Sequence, residues 1–217
     1  GTQEYLEKFH EHPKVKSINF CNQNKGITPV TNWFWEQADS DIVGKVDNDI
    51  LVCENWLEKL IPYMNINIST GERLGAVGLT FWHDYERNLV EKHSDLFRQH
   101  IRDFNGLQLL HSPHLGGACY LIKKSIIDSM GKIANIRGSL KGGWTQYQWN
   151  LNKYKNAVHG YIWPFKGTEI IHMDDFRYPG TIRPQALAIK NDHEKQLEVM
   201  KSEFKHAIRV ICRKGVN

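Results

Sequence analysis

Asp41-Ile42-Val43-Gly44-Lys45-Val46-Asp47-Asn48-Asp49 is the stretch that decides how this chain is read. The apolar run from Asp41 to Val46 has the length of a short buried strand, and it ends at Asp47. The spelling Asp-x-Asp is weak by itself, because such a triplet arises by chance in roughly every second sequence of this size. Asp39-Ser40-Asp41 is another one. Position separates the two: Asp39 and Asp41 precede the strand, whereas Asp47 and Asp49 follow it. In open α/β sheets ligands bind at the C-terminal ends of strands. Two carboxylates placed there repel each other unless a cation lies between them. Their oxygen ligands suit Mg²⁺ or Mn²⁺, which bridge to phosphate oxygens. An Asp-rich turn capping a helix near Glu54 accounts for the same letters and stays open at this point. Lys45 lies two residues before Asp47 and shares its face of the strand. Reaching a phosphate and snorkelling to the surface are both open to it.

Outward from this stretch, strand-like and helix-like segments alternate. Residues 2–11 fit a short amphipathic helix stopped by Pro13. Lys14 to Cys21 is strand-like, and Asn22 to Gly26 carries turn chemistry. A helix is predicted from about Thr28, with Thr28 as N-cap and Pro29 at its first position. Downstream, Glu54 to Ile61 reads as a helix ended by Pro62, and Leu74 to Phe81 as a second apolar strand. Residues 83–107 are polar and lack periodicity, as in a long loop or a small helical excursion. Leu115 to Ile122 is a strand opened by Gly116-Gly117. Helices are predicted at Ser125 to Met130, closed by Gly131, and at Trp144 to Lys155. Short strands follow at Tyr161 to Trp163 and Glu169 to Ile171. After Pro184, apolar residues from Ile189 to Ile211 recur every three or four positions, which predicts one long amphipathic helix. The alternation implies an α/β layered fold with a mostly parallel sheet flanked by helices. Residues 1–180 form the main domain and 181–217 a basic C-terminal helix.

The chain has 217 residues, 41% of them hydrophobic and 24% charged, which is enough for a sizeable core and argues against disorder. Its net charge of +4 is concentrated at the end: residues 176–217 hold nine Lys/Arg against four Asp/Glu. Such a segment suits a membrane surface or a partner domain, or is simply a solvated helix face. No nucleic-acid motif accompanies it, so nucleic acid is not an expected partner. Cys21, Cys53, Cys119 and Cys212 are scattered and form no Cys-x-x-Cys pair. That pattern fits a reducing compartment and a cytoplasmic protein. No apolar run reaches the roughly 18 residues needed to span a bilayer. The chain opens on Gly1-Thr2-Gln3-Glu4, without Met and directly in a helical pattern, which suggests a fragment.

Ile18-Asn19-Phe20 with Asn24-Lys25-Gly26, then a helix, then Asp41 to Asp49 resembles the family 2 glycosyltransferases of the GT-A (Rossmann-related) fold. In that family a strand ends in an Asn-x-Gly turn, and a later strand ends in the Asp-x-Asp metal motif. The resemblance spans about residues 10–175 and is specific at four short places. It implies that Asp47 and Asp49 hold Mn²⁺ or Mg²⁺ on the diphosphate of a sugar nucleotide. It also places the Asn24-Lys25-Gly26 loop beside the nucleotide, and Lys45 and Asn48, flanking Asp47, are taken as further candidate substrate contacts. Leu115 to Ile122 looks like the strand that floors the sugar pocket, with Gly116 and Gly117 admitting a ligand close to the backbone. His172, just before Asp174 and Asp175, matches the late histidine that many GT-A enzymes use as a third metal contact.

Two departures stand out. The family begins with two strands that hold the nucleoside, and this chain begins at what reads as the helix before a later strand. Inverting members also open the helix after the sugar-pocket strand with acidic residues, one of which is the general base. Here the matching stretch, Gly143 to Asn150, has no carboxylate, and Gln148 cannot take a proton. The base then comes from Asp174, Asp175 or a histidine of the 83–114 region, or the leaving phosphate serves in a retaining reaction, or the chain binds without turnover. Trp144 and Trp149 offer stacking surfaces for a sugar, although a helical Trp also serves the core. The expectation is a metal-dependent glycosyltransferase of hexosyl type. It would use a nucleotide-sugar donor and a glycan, lipid-linked or protein acceptor, with Gln148 among the substrate contacts. A nucleotidyltransferase and a non-catalytic sugar-nucleotide-binding scaffold are the alternatives.

Overall fold

The computed structural model describes residues 1–68, 71–80, 98–113, 115–134, 143–165, 167–176, 178–182, 184–190, 192, 194–199 and 201–202. Six helices carry names here: α1 Thr2–Glu7, α2 Ile27–Gln37, α3 Trp56–Met64, α4 Lys124–Met130, α5 Trp144–Lys155 and α6 Pro184–Lys190. The strands are β1 Ile42–Val46, β2 Ile50–Leu51, β3 Arg73–Gly78, β4 Ile101–Phe104, β5 Leu107–His111, β6 Cys119–Lys123, β7 Ala157–Trp163 and β8 Ile171–His172.

One sheet has the order β1-β6-β3-β7-β5-β4, and β2 and β8 form a separate ribbon. Strand β6 shows why both faces of the sheet are covered. Cys119 and Leu121 point into a core with Leu60, Tyr63 and Met64 of α3. Tyr120 and Ile122 point the other way, into a core with Trp35 of α2, Ile126 and Ile127 of α4, and Tyr147 and Leu151 of α5. This is the two-residue alternation of a strand buried on both sides. The result is a helix–sheet–helix layering, which agrees with the expected α/β class.

The expectation of a mostly parallel sheet needs correction. Of the adjacent pairs in the main sheet only β3–β7 is parallel; β1–β6, β3–β6, β4–β5 and β5–β7 are antiparallel. The cause is insertion. Strands β1, β3, β7 and β4 run in one direction, but β6 and β5 run against them and separate most of them. Alternating strand and helix signals reveal direction, not neighbours.

Other local differences have physical reasons. Lys14 to Cys21 pairs with no strand among the described residues; Lys14 lies in a turn, and most of the stretch is exposed. The α2 cap is Gly26 at φ 77°, not Thr28. Thr28 is buried, and its hydroxyl accepts from Gly143 N at 3.1 Å. Pro62 lies inside the last turn of α3, and the helix ends two residues later. Residues 98–107, read as loop, contain β4 and the turn into β5. Asn105 and Gly106 sit at φ 57° and 90°, a two-residue hairpin turn of the type that favours Asn-Gly. Residues 83–97 of the same reading lie outside the described residues. The long C-terminal helix is interrupted: α6 ends at Lys190, and Asp192 Oδ1 accepts from Lys195 N at 3.0 Å, capping a new turn at 194–199. His193, Met200 and residues 203–217 of that reading lie outside the described residues. Phe176 and Ala186 join this segment to the main domain through a small apolar cluster. Among the described residues no helix is long and apolar enough to cross a membrane.

Candidate functional site

Strand β1 delivers its side chains to one end of the sheet, and the two Asp-x-Asp triplets lie at opposite ends of it. Asp39 forms an ion pair with Lys16 at 2.6 Å, and Asp41 O accepts from Lys124 N. Asp47 leaves β1 at the other end, where its N–H donates to Ala118 O at 2.8 Å. Its carboxylate pairs with the Lys45 ammonium, which also donates to Gly117 O at 2.7 Å. Lys45 therefore does not snorkel freely; it joins Asp47 to the glycine loop before β6. Asn48 is exposed in the turn that follows.

The β2–β8 ribbon brings a distant part of the chain to this turn. Ile50 pairs with His172, and Met173 N donates to Asp49 O at 2.7 Å. His172 Nε2 comes within 3.6 Å of Asp49 Oδ2. Its Nδ1 accepts from Asp174 N at 3.2 Å, and Asp175 N donates back to His172 O. Asp49, His172, Asp174 and Asp175 thus share one turn cluster, beside the end of β1 that carries Asp47.

The loop entering β6 is held residue by residue. Gln148 Oε1 accepts from Leu115 N at 2.8 Å, and its Nε2 donates to Leu115 O at 3.1 Å. Gly116 N donates to Tyr161 Oη at 2.9 Å. Gly117 O takes Lys45, and Ala118 O takes Asp47 N. Behind Gln148, Ala76 N donates to His159 Nδ1 at 2.9 Å, which leaves Nε2 as the N–H that meets Gln148 O at 3.1 Å. Burial pushes the Tyr161 hydroxyl pKa up, against the opposing effect of the Gly116 bond. Burial also raises that of Tyr120, on the strand beside Asp47, and the Asp47 charge adds to the rise.

Two expectations change here. Gln148 is 0% exposed and its amide is occupied by backbone, so as folded it presents no free polar group to a ligand. Trp144 is half-buried: it stacks on Tyr120 at 4.3 Å and lies edge-on to Trp35, so much of its ring packs against the core. Asn24-Lys25-Gly26 is an exposed turn closed by Gly26 N on Asn24 Oδ1 at 2.8 Å. Two residues further on, Thr28 of α2 ties this end of the helix to Gly143 at the start of α5. Tyr161 and His159 carried no signal in the sequence, because each acts through a partner far away in the chain.

The donor set at Asp47, Asp49 and His172 is oxygen-rich and suits Mg²⁺ or Mn²⁺. Among the described residues no three His, Cys, Asp or Glu side chains form a ready-made cluster. That still fits such a cation, which is commonly held by one or two carboxylates and completed by substrate phosphates and water. Binding through His172 Nε2 requires that nitrogen's lone pair, so the Asp174 N–H bond to Nδ1 must be given up or the ring turned. The sequence model of Glycosyl transferase family 2 matches residues 1–131. Comparison with curated proteins finds no match.

Proposed function

This chain belongs to glycosyl transferase family 2, a family of the GT-A fold, and we propose that it moves a hexosyl group from a nucleotide-diphosphate sugar to a hydroxyl acceptor on a glycan, lipid-linked carrier or protein, with Mn²⁺ or Mg²⁺ at Asp47 and Asp49. The observation that carries this reading is the meeting of Asp49 with His172 through the β2–β8 ribbon, next to Asp47. Carboxylates and an imidazole from two distant stretches of the chain, 47–49 and 172–175, are brought to the end of β1, where α/β sheets bind ligands. A bound cation supplies positive charge for the diphosphate as it leaves. Lys45 is placed to add a second positive charge there. Asp174 or Asp175 takes the acceptor proton, since the helix that follows the glycine loop presents no acid.

A panel of UDP-, GDP- and dTDP-sugars with Mn²⁺, scored by released nucleotide and transferred sugar, tests the reading. Asp47→Asn combined with Asp49→Asn should lower transfer by about 10²-fold or more and abolish its dependence on Mn²⁺. Full activity in that double variant sinks the metal assignment. Pyrophosphate release in place of sugar transfer would assign a nucleotidyltransferase instead. A second reading, binding without turnover, draws support from Gln148, which stands buried where an acid was expected. Nucleotide binding with no release from any donor would favour it.

A further inference from the structure

We propose that Gln148 and Tyr161 are positioning residues for the donor site: with Lys45 they clamp the backbone of 115–117 and so fix the Gly117 carbonyl that holds Lys45 against Asp47. The inference rests on the donor reading above. A loop with two consecutive glycines has little side-chain packing to define it, and its backbone is costly to order. Here three successive residues are each bonded by one side chain, and the three side chains come from different elements. Gln148 of α5 takes both polar groups of Leu115. Tyr161 of β7 takes Gly116 N. Lys45 of β1 takes Gly117 O and ends on the Asp47 carboxylate. His159, two residues before Tyr161 on the same face of β7, bonds the main chain of Gln148 itself, so two of the three anchors share one support.

A clamp of this kind acts before the donor arrives. Loosening it makes binding carry the cost of ordering the loop, which weakens affinity and leaves turnover at saturation nearly unchanged. The test is calorimetric titration of the intact chain, at a temperature where all variants are folded, with Mn²⁺ plus UDP, GDP or dTDP. Tyr161→Phe removes the acceptor for Gly116 N and nothing else, and Gln148→Met removes both Leu115 bonds. Tyr147→Phe is the control: its hydroxyl donates to Gly131 O at 2.8 Å, an equivalent buried bond that does not touch the loop. The expected result is about threefold to tenfold weaker binding of the preferred nucleotide in Tyr161→Phe, and wild-type binding in Tyr147→Phe. Donor KM should rise in step while kcat stays within about twofold. Unchanged affinity in Tyr161→Phe, or an equal loss in both tyrosine variants, overturns the clamp while leaving the donor reading standing. A wild-type chain that binds none of the three nucleotides overturns both. If Gln148→Met fails to fold, Tyr161→Phe decides alone.

Discussion

Replacing Gln148 by Met keeps the length of the side chain and removes its amide. The residue is 0% exposed, so no water takes over its bonds. Leu115 N and Leu115 O, bonded at 2.8 and 3.1 Å in the native chain, are then left buried without partners. An unsatisfied buried group costs about 1–3 kcal/mol, so the pair costs about 2–6 kcal/mol. That is a large share of a total stability of about 5–15 kcal/mol. For a chain of this size each kcal/mol moves Tm by about 2–4 °C, so a fall of roughly 4–24 °C is expected. Urea unfolding followed by fluorescence is the assay, with the m-value as a check that the unfolded state is unaltered. A loss below about 1 kcal/mol at constant m would refute the argument, because Leu115 would have found other partners. Gln148→Glu sharpens the point. The new carboxyl would face Leu115 O with no donor unless it stays protonated, so burial should raise its folded pKa above the unfolded value. Its stability contribution is then present at low pH and lost as pH rises. The variant should be weaker at pH 8 than at pH 5, and it should gain no catalytic base.

Two further outcomes follow from other parts of the core. Gly75→Ala places a methyl 2.3 Å from His159 Nδ1, and that ring is held on both sides, so overpacking should cost about 1–3 kcal/mol or more in urea unfolding. Burial, with smaller contributions from Cys53 and Asp47, raises the Cys119 thiol pKa to about 12. The unfolded thiol ionises first, so this contribution to stability is complete below the unfolded pKa and is lost as pH rises towards 12. A thiol reagent at pH 8 should therefore label exposed Cys21 in the native chain and reach Cys119 only in denaturant.

The part of the site that depends on order along the chain was legible. The run from Ile42 to Val46 is apolar and short, so its end, and hence the placing of Asp47 and Asp49, follows from local pattern. The α5 helix also follows, because Trp144 to Lys155 lies between Gly143 and Asn156, and Asn156 ends it at φ 50°. The Asn105-Gly106 hairpin was spelled out, but Ile101-Arg102-Asp103-Phe104 lacks the alternation that would have announced a strand. Lys14 to Cys21 erred the other way: its alternation is strand-like, yet no ladder among the described residues receives it. What could not be read is pairing between distant segments. Nothing in Gln148 or Tyr161 names Leu115 or Gly116, and the letters that suggested a substrate contact at Gln148 describe an amide spent on the backbone.

The sheet order β1-β6-β3-β7-β5-β4 has a consequence for how the chain comes to have a site at all. Only β4 and β5 lie beside their neighbours in sequence. Lys45 and Gly117 are 72 residues apart, and Asp49 and His172 are further apart still. Contacts of that span form late, because the closure entropy of long loops must be met before they give anything back. During synthesis the Lys45–Asp47 pair therefore emerges long before the Gly117 loop and the His172 turn do. The proposed cation site belongs to the finished fold and to no early fragment of it: a ribosome-stalled chain ending just after β7 should already form β1 and yet lack the Mn²⁺ affinity of the full chain.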